Sequence, residues 1–306
     1  MSTNSLSVLV IGASGMLGGA VARRLIASGH HVRAMARDRG RLQPLADAGA
    51  EVFAADMRDP AASRDACAGV AQIFSTANNV HGGGANSPLR VDLEGYRRMA
   101  EAARESGVAR WVHTSARAAT PDSVVDFFRL KHEVDLVVRG SGVPYVLLRP
   151  AAFMDIWIDI LLAPGIVKSG TATIFGSGAR ITNYIAVDDA ADFAVAVLSR
   201  REILNEDVEF GGPSNVSMST LADLLGAAMG KRVKKRHLPA ALLRHGPRLL
   251  RPFNEVAARM MSLGYFTTVA DTPLEDWHAP AARFGVHPRT AEVYIAQRFG
   301  SAARSN

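Results

Sequence analysis

The stretch Val8–Leu25, VLVIGASGMLGGAVARRL, changes character twice within 18 residues. Ser7–Ile11 is short, apolar and β-branched, the pattern of a strand buried on both faces. Glycines then stand at positions 12, 15 and 18. Apolar residues resume at helical spacing with Leu17, Val21 and Leu25, so Met16–Ser28 reads as a helix closed by Gly29 at its C-cap. A buried strand, a tight glycine turn and a helix follow one another with no linker between them.

The same alternation continues. Strands are expected at His31–Ala36, Glu51–Ala54, Ala71–Thr76, Arg110–Thr114 and Val143–Leu148. Helices are expected between them at Arg41–Ala48, Ala61–Ala68, Val91–Ser106 and Phe127–Gly140, the second-to-last ended by Gly107. Strict βα alternation predicts an α/β fold, a doubly wound parallel Rossmann sheet with helices on both faces. Right-handed crossovers place the carboxyl end of every strand on one edge, where ligands bind.

After Pro150 the rhythm breaks. Ala151–Thr182 carries aromatics and two glycine turns, Pro164-Gly165 and Gly176-Ser177-Gly178. Asn183–Val187, the helix Asp188–Leu198 and the short strand Val208–Phe210 read as a return to the sheet. Ser219–Met229 is a helix opened by Ser219, and the rest is mainly helical. The expected organisation is therefore a Rossmann domain over residues 1–150, rejoined by 183–210, with a smaller substrate lobe formed by 151–182 and 211–306.

Composition narrows the function classes. The chain has 306 residues, 48% hydrophobic and 21% charged, as in ordinary globular proteins. One cysteine, Cys67, excludes an intrachain disulfide and a cysteine-based zinc site, and no metal site is expected. MSTNSLS has no basic segment leading into an apolar one, so no secretory signal is read there. No uncharged apolar run reaches the roughly 18–20 residues of a membrane-spanning helix. These features predict a soluble, cytoplasmic protein. Much of the +6 formal charge lies in Lys231–Phe253, which carries eight Lys/Arg residues interleaved with leucines. An anionic surface could bind it, but a strand end followed by a helix with one solvated basic face accounts for it equally. No nucleic-acid fold signature accompanies it, so nucleic acid is not an expected partner.

The glycine spacing Gly12-x-x-Gly15-x-x-Gly18 sits between a strand and a helix, the context that a dinucleotide fingerprint requires. Gly12 allows the tight turn, Gly15 lets the main chain approach a diphosphate, and Gly18 lets the helix pack against the strand. Backbone N–H groups of Met16 and Leu17 at the helix start favour the anion, and Ser14 can add a hydroxyl. An unliganded glycine turn is the plainer alternative. At the end of the second strand, where NAD-binding versions place an acid, the chain reads VRAMARDRG. Arg37 stands at that place, with Arg39 and Arg41 close by. A guanidinium suits a 2′-phosphate, which favours NADP (NADPH) over NAD. Asp38 weighs against this, and a solvated basic turn remains open. Asp56, after the third strand, stands where an adenine amine can be met or where a loop acid can simply be solvated. Asn78 and Asn79, after the fourth, can offer amides to the cofactor, although asparagine-rich turns also arise without one.

Taken together these segments resemble the NmrA-like branch of the atypical short-chain dehydrogenase/reductases. The opening VLVIGASGMLGGAVARRLIASGHHVRAMARD carries the resemblance, with VDLEGYRRMAEAARESGVARWVHTSA, FFRLKHEVDLVVRGSGVPYVLLRPAAFMD, YIAVDDAADFAVAVL and EFGGPSNVSMSTLADLLGAAMGKRV. The resemblance covers most of the chain. It implies a Rossmann domain with a substrate lobe and a cleft between them, NADP binding and, in many members, reduction of quinones, ketones or phenolic ethers. Other members bind the dinucleotide as sensors.

In the broader superfamily a Tyr-x-x-x-Lys pair serves hydride transfer, the tyrosine donating a proton and the ammonium lowering its pKa. Lys131 matches the lysine. Phe127 occupies the tyrosine's place and has no proton to give. Lys131 is thus expected to hold the nicotinamide ribose or to act alone, and Ser115, at the end of the fifth strand, to polarise a carbonyl. His113 shares a strand face with Ser115 and reads as structural. Phe153, Met154 and Trp157 offer an apolar lining for substrate, or simply a core. Tyr184 is a weaker candidate for a replacement acid. The expected activity is NADP-dependent reduction of a small apolar carbonyl or quinone-like substrate. A non-catalytic NADP-sensing regulator and, more remotely, an NAD(P)-dependent isomerase or epimerase are the alternatives.

Overall fold

The computed structural model describes residues 6–300. They form two units. The first holds the described residues up to Ser123 together with Phe127–Arg149 and Ala191–Glu209; the second holds Val124–Asp126, Pro150–Ala190 and the described residues from Phe210 onward.

In chain order the first six strands are β1 (Ser7–Ile11), β2 (His31–Ala36), β3 (Glu51–Ala54), β4 (Gln72–Ser75), β5 (Arg110–Thr114) and β6 (Tyr145–Pro150). They are followed by β7 (Ala152–Phe153), β8 (Thr171–Phe175), β9 (Ile181–Ile185), β10 (Glu206–Phe210), β11 (Ser214–Ser217) and β12 (Lys234–Leu238). The first unit is built on a seven-stranded sheet of order β10-β6-β5-β4-β1-β2-β3. Every pairing from β3 across to β6 is parallel, with Leu9 of β1 opposite Arg33 of β2 on one side and Ile73 of β4 on the other. Val8, Leu9 and Val10 are fully buried, which is why β1 reads as a continuous apolar run rather than an alternation. The chain runs outward from β1 through β2 to β3 and then returns to β4 on the other side of β1. The carboxyl end of β1 is therefore the topological switch point, where open α/β sheets bind ligands.

Helices cover the sheet with the faces that their periodicity marks. Met16–Ala27 buries Leu17, Val21 and Leu25, and Glu94–Glu105 buries Tyr96, Met99 and Ala103. One core cluster joins Leu9, Ile73, Trp111 and Leu147 from the strands to Tyr96, Met99 and Val134 from the helices. The expected helix at Arg41–Ala48 forms as a 3₁₀ turn, Gly40–Leu42, followed by the α-helix Gln43–Asp47. Pro44 falls in that helix's first turn, where its missing N–H leaves no bond unmade.

The second unit contains a three-stranded sheet, β11-β9-β7, and a two-stranded sheet, β12-β8. The expected return of Asn183–Val187 to the central sheet does not occur. That segment supplies β9, which pairs antiparallel with β11 and parallel with β7. The buried Asn183 side chain explains the preference: its amide donates to the Gly212 carbonyl at 2.8 Å, and its oxygen accepts the Gly212 N–H at 3.1 Å. The chain rejoins the first unit only from Ala191, within the helix Val187–Ser199. The helix expected at Ser219–Met229 starts earlier, at Met218–Ala228, because Ser217 caps it by accepting the Thr220 N–H at 3.1 Å.

The basic run forms β12 and the helix Ala240–Leu250. Lys235 pairs with Asp223 and Arg251 with Asp126, each at 2.6 Å, while Arg236, Arg244 and Arg248 are exposed. Among the described residues no helix is long and apolar enough to cross a membrane.

Candidate active site

The turn after β1 is built by three glycines with different tasks. The N–H groups of Gly12 and Ala13 both donate to the Met35 carbonyl of β2, at 3.0 and 3.2 Å, which pins the turn to the neighbouring strand. Gly12 has φ +86°, and a β-carbon there would lie 2.7 Å from the Ala77 nitrogen. A β-carbon on Gly18 would lie 2.2 Å from the Gly12 carbonyl oxygen. Gly15 differs: its β-carbon would meet only the Gly12 oxygen, at 3.3 Å, and Gly15 is exposed. It is also the N-cap of the helix Met16–Ala27 and provides no side-chain cap. The first N–H groups of that helix, at Met16 and Leu17, have no acceptor within the helix. Met16 is exposed, Leu17 is buried and Ser14 is partly buried.

Two guanidinium groups reach this turn or the strand ends beside it. Arg37 is exposed just beyond β2 and donates from Nη2 to Asn79 Oδ1 at 3.1 Å. Arg41, a residue the sequence reading left in the background, donates from Nη2 to the Ser14 carbonyl at 3.2 Å. Asp38 accepts the Gly40 N–H at 2.9 Å, so its carboxylate caps the next turn. Arg33 serves the fold, donating to the Ala66 and Ala68 carbonyls at 2.8 Å.

Asp56 is held by Arg58, whose Nε and Nη2 reach both carboxylate oxygens at 2.6–3.1 Å. The Arg58 hydrogen bond keeps the Asp56 carboxyl below its ordinary range. Asn78 is exposed. Asn79 is the more connected of the pair: besides accepting from Arg37, it donates its N–H to Asp92 Oδ2 at 3.1 Å and its amide to the Asn86 carbonyl.

A second cluster lies at the ends of β5 and β6. Lys131, on the helix Asp126–Arg139, is partly buried, and its Nζ lies 3.4 Å from the Thr114 carbonyl. Phe127, one turn earlier, is buried with its ring centroid 6.0 Å from that Nζ. Ser115 is buried, and its hydroxyl donates to Asp135 Oδ2 at 2.7 Å. Its single proton is thus committed to a carboxylate, which leaves none for the carbonyl it was expected to polarise. The same Asp135 oxygen accepts Arg149 Nη2 at 3.0 Å. Arg149 also pairs with Asp207 at 2.8 Å and donates to the Ala116 carbonyl at 3.1 Å.

His113 links the cluster to the core. Its Nδ1 meets Ser75 Oγ at 2.8 Å, and Ser75 Oγ accepts the Trp111 indole N–H at 2.8 Å. Its Nε2 faces Asp135 Oδ1 at 3.8 Å, and neither atom has a hydrogen-bond partner. Burial, with the Lys131 and Arg149 charges, holds His113 well below its ordinary pKa. Burial pushes the Asp135 carboxyl up, against the Ser115 hydrogen bond and the Arg149 and Lys131 charges. Burial also lowers Lys131, which the Asp135 and Asp92 charges oppose and the Arg149 charge reinforces.

Sequence reading missed Asp135 and Arg149. Asp135 sits between Val134 and Val138 on the buried face of its helix, and an acid in an apolar stripe is the signal that pointed to it. A second signal went unread: Lys131 is the first of only five lysines in a chain whose other strong bases are arginines.

In the second unit the segment expected to line a substrate divides. Met154 is fully buried in the core with Ile158, Leu162 and Tyr184, so it presents no surface to a ligand. Phe153 and Trp157 are partly exposed, and the Trp157 ring packs edge-on to Phe175 and Tyr184 at 6.3 Å each. Asp155–Leu162 is π-helical, a geometry frequent at functional sites. Tyr184 is buried and its phenol pushed up by burial, which makes it a poor proton donor.

Comparison with known proteins gives consistent matches. The chain is 29% identical over 294 residues to a (4-alkanoyl-5-oxo-2,5-dihydrofuran-3-yl)methyl phosphate reductase of Streptomyces griseus, covering 90% of this chain and 98% of the relative. It is 27% identical over 227 residues to an NAD(P)H azoreductase of Xenophilus azovorans, covering 74% of this chain and 75% of the relative. The crystal structure of the NADPH-dependent quinone oxidoreductase QOR2 of Escherichia coli, complexed with NADPH, superposes with a TM-score of 0.78 over 96% of this chain and 100% of that one, at 23% identity. The profile of the NmrA-like family matches residues 4–283, and the protein belongs to that family.

Proposed function

We propose that the protein is an NADPH-dependent reductase of a small apolar carbonyl or quinone-like compound. The observation that carries this reading is the open outer side of Gly15, at an uncapped helix start on the switch point of the sheet, with Arg37 and Arg41 beside it. A diphosphate fits there: the turn offers backbone N–H groups, and no β-carbon stands in the way. Arg37 and Arg41 are the groups that would take a 2′-phosphate, Arg37 by exchanging the Asn79 oxygen for a phosphate oxygen. When bound, NADPH would supply the hydride for reduction of the substrate's carbonyl.

The chain then has to supply one proton to the carbonyl oxygen. Phe127 cannot do so, and Ser115 has its proton on Asp135. Lys131 Nζ carries the available proton: it donates N–H to the developing oxyanion and regains a proton from water. Within the second unit, the partly exposed Phe153 and Trp157 are apolar surface of the kind such a substrate would need. The support from relatives is that an azoreductase, a phosphate-bearing furanone reductase and a quinone oxidoreductase share the family or fold. The test is NADPH consumption by the purified protein across a panel of quinones, ketones and azo compounds. Turnover of at least one supports the reading, and tight NADPH binding with no turnover on any of them removes it.

The second reading is a dinucleotide-responsive regulator. Phe127 in place of an acid favours it. Its mark is a protein partner whose affinity changes with NADPH occupancy while no substrate is reduced.

A further inference from the structure

We propose that Asp135 is the positioning residue of this site: its buried carboxyl group, bonded to Ser115 and Arg149, ties the chain after β5 to β6 and stands one helical turn from Lys131, on which it acts electrostatically. The part about catalysis rests on the reductase reading above; the electrostatic part does not.

The geometry is specific. Asp135 lies four residues after Lys131 on one helix, so the two side chains occupy the same face one turn apart. The carboxylate is fully buried, and an unpaired charge there would be strongly unfavourable. One oxygen is satisfied twice, by Ser115 Oγ at 2.7 Å and Arg149 Nη2 at 3.0 Å. The other faces His113 Nε2 at 3.8 Å and has no hydrogen bond. Through Ser115 the carboxylate holds the first residue beyond β5. Through Arg149, which also donates to the Ala116 and Ala119 carbonyls, it holds the loop that follows. Lys131 Nζ reaches the Thr114 carbonyl at the end of the same strand. The charge balance around Nζ is therefore set by Asp135 on its own helix, by Asp92 on the preceding helical segment and by Arg149 on β6, with neutral His113 on β5. Asp207 of β10 neutralises part of the Arg149 charge.

A purely structural strut would not require Lys131 to feel Asp135. The distinction can be measured because the chain has only five lysines. Reductive ¹³C-methylation of the full-length protein, with Lys131→Arg to assign the signal, follows the Lys131 titration by NMR without any cofactor. Asp135→Asn, nearly isosteric, should lower the Lys131 pKa by a unit or more, and Asp135→Glu should restore most of the shift. Arg149→Gln should raise it. Opposite shifts in the two variants support the proposal. A Lys131 titration unchanged in Asp135→Asn, or shifted the same way in both variants, overturns it. If Asp135→Asn does not fold, Lys131→Met carries the test: the Asp135 carboxyl, followed by ¹³C NMR, should titrate higher in the variant than in the parent, and an unchanged titration overturns the proposal. Opposite shifts in a protein that oxidises no NADPH would leave Asp135's role standing and remove only the reductase reading.

Discussion

A β-carbon on Gly18 would stand 2.2 Å from the carbonyl oxygen of Gly12, whereas one on Gly15 would meet only that same oxygen at 3.3 Å. The glycine turn therefore combines a packing requirement at Gly18 with a nearly open position at Gly15. Gly18→Ala must move the helix off β1 and should cost about 3 kcal/mol of stability. Gly15→Ala should fold within about 1 kcal/mol of the parent and lose about tenfold or more in NADPH affinity. Chemical denaturation and fluorescence titration of the two variants check both expectations.

On the proposed reading, Arg37 and Arg41 would divide selection of the ribose phosphate between them. Arg37→Ala should weaken NADPH by about 10- to 100-fold, the worth of one or two charge-assisted hydrogen bonds, and leave NADH nearly unchanged. Arg41→Ala should act in the same sense, and also loosens the contact to Ser14. Equal losses for both nucleotides would count against a 2′-phosphate site.

Lys131 is assigned the proton that Phe127 cannot provide. Lys131→Met should lower kcat about 100-fold or more, the usual contribution of a positioned acid, with NADPH affinity changed by far less. Loss confined to KM would make Lys131 a cofactor clamp.

His113 links protonation to stability. Its pKa in the folded state lies well below 6.5, with burial as the main cause. Below pH 6.5 the unfolded chain binds a proton that the folded chain refuses, so stability falls by about 1.4 kcal/mol per pH unit until the folded value is reached. Asp135, whose pKa is raised, acts in the opposite sense, so the comparison must be made between variants. His113→Gln removes the penalty. The stability advantage of the parent over this variant should shrink by about 1 kcal/mol between about pH 7.5 and about pH 5.5, read from denaturation curves.

Most of the first unit was legible because its central strands are buried along their length and its strands are closed by glycine or polar turns. Ser7–Ile11, His31–Ala36, Glu51–Ala54 and Arg110–Thr114 form where the alternation placed them. Asn183–Val187 misled because an apolar pattern does not say which sheet a strand joins; the buried Asn183 amide decides that, and its partner Gly212 lies 29 residues away. Met154 reads as lining or core from sequence alone, and only burial separates the two. At the site, the turn and Lys131 could be placed from local spacing. Asp135 carried a local signal, an acid in an apolar stripe one turn after Lys131, but its partners Ser115 and Arg149, like the Ser14 contact of Arg41, arise from packing between elements separated in the chain.

The central claim is that the Gly12–Gly18 turn and the neighbouring guanidiniums form an NADPH site. Calorimetric titration of the purified protein with NADPH and NADH tests it most directly. One equivalent of NADPH bound at least tenfold more tightly than NADH is the predicted result; no heat from either nucleotide, with the protein folded, would contradict it.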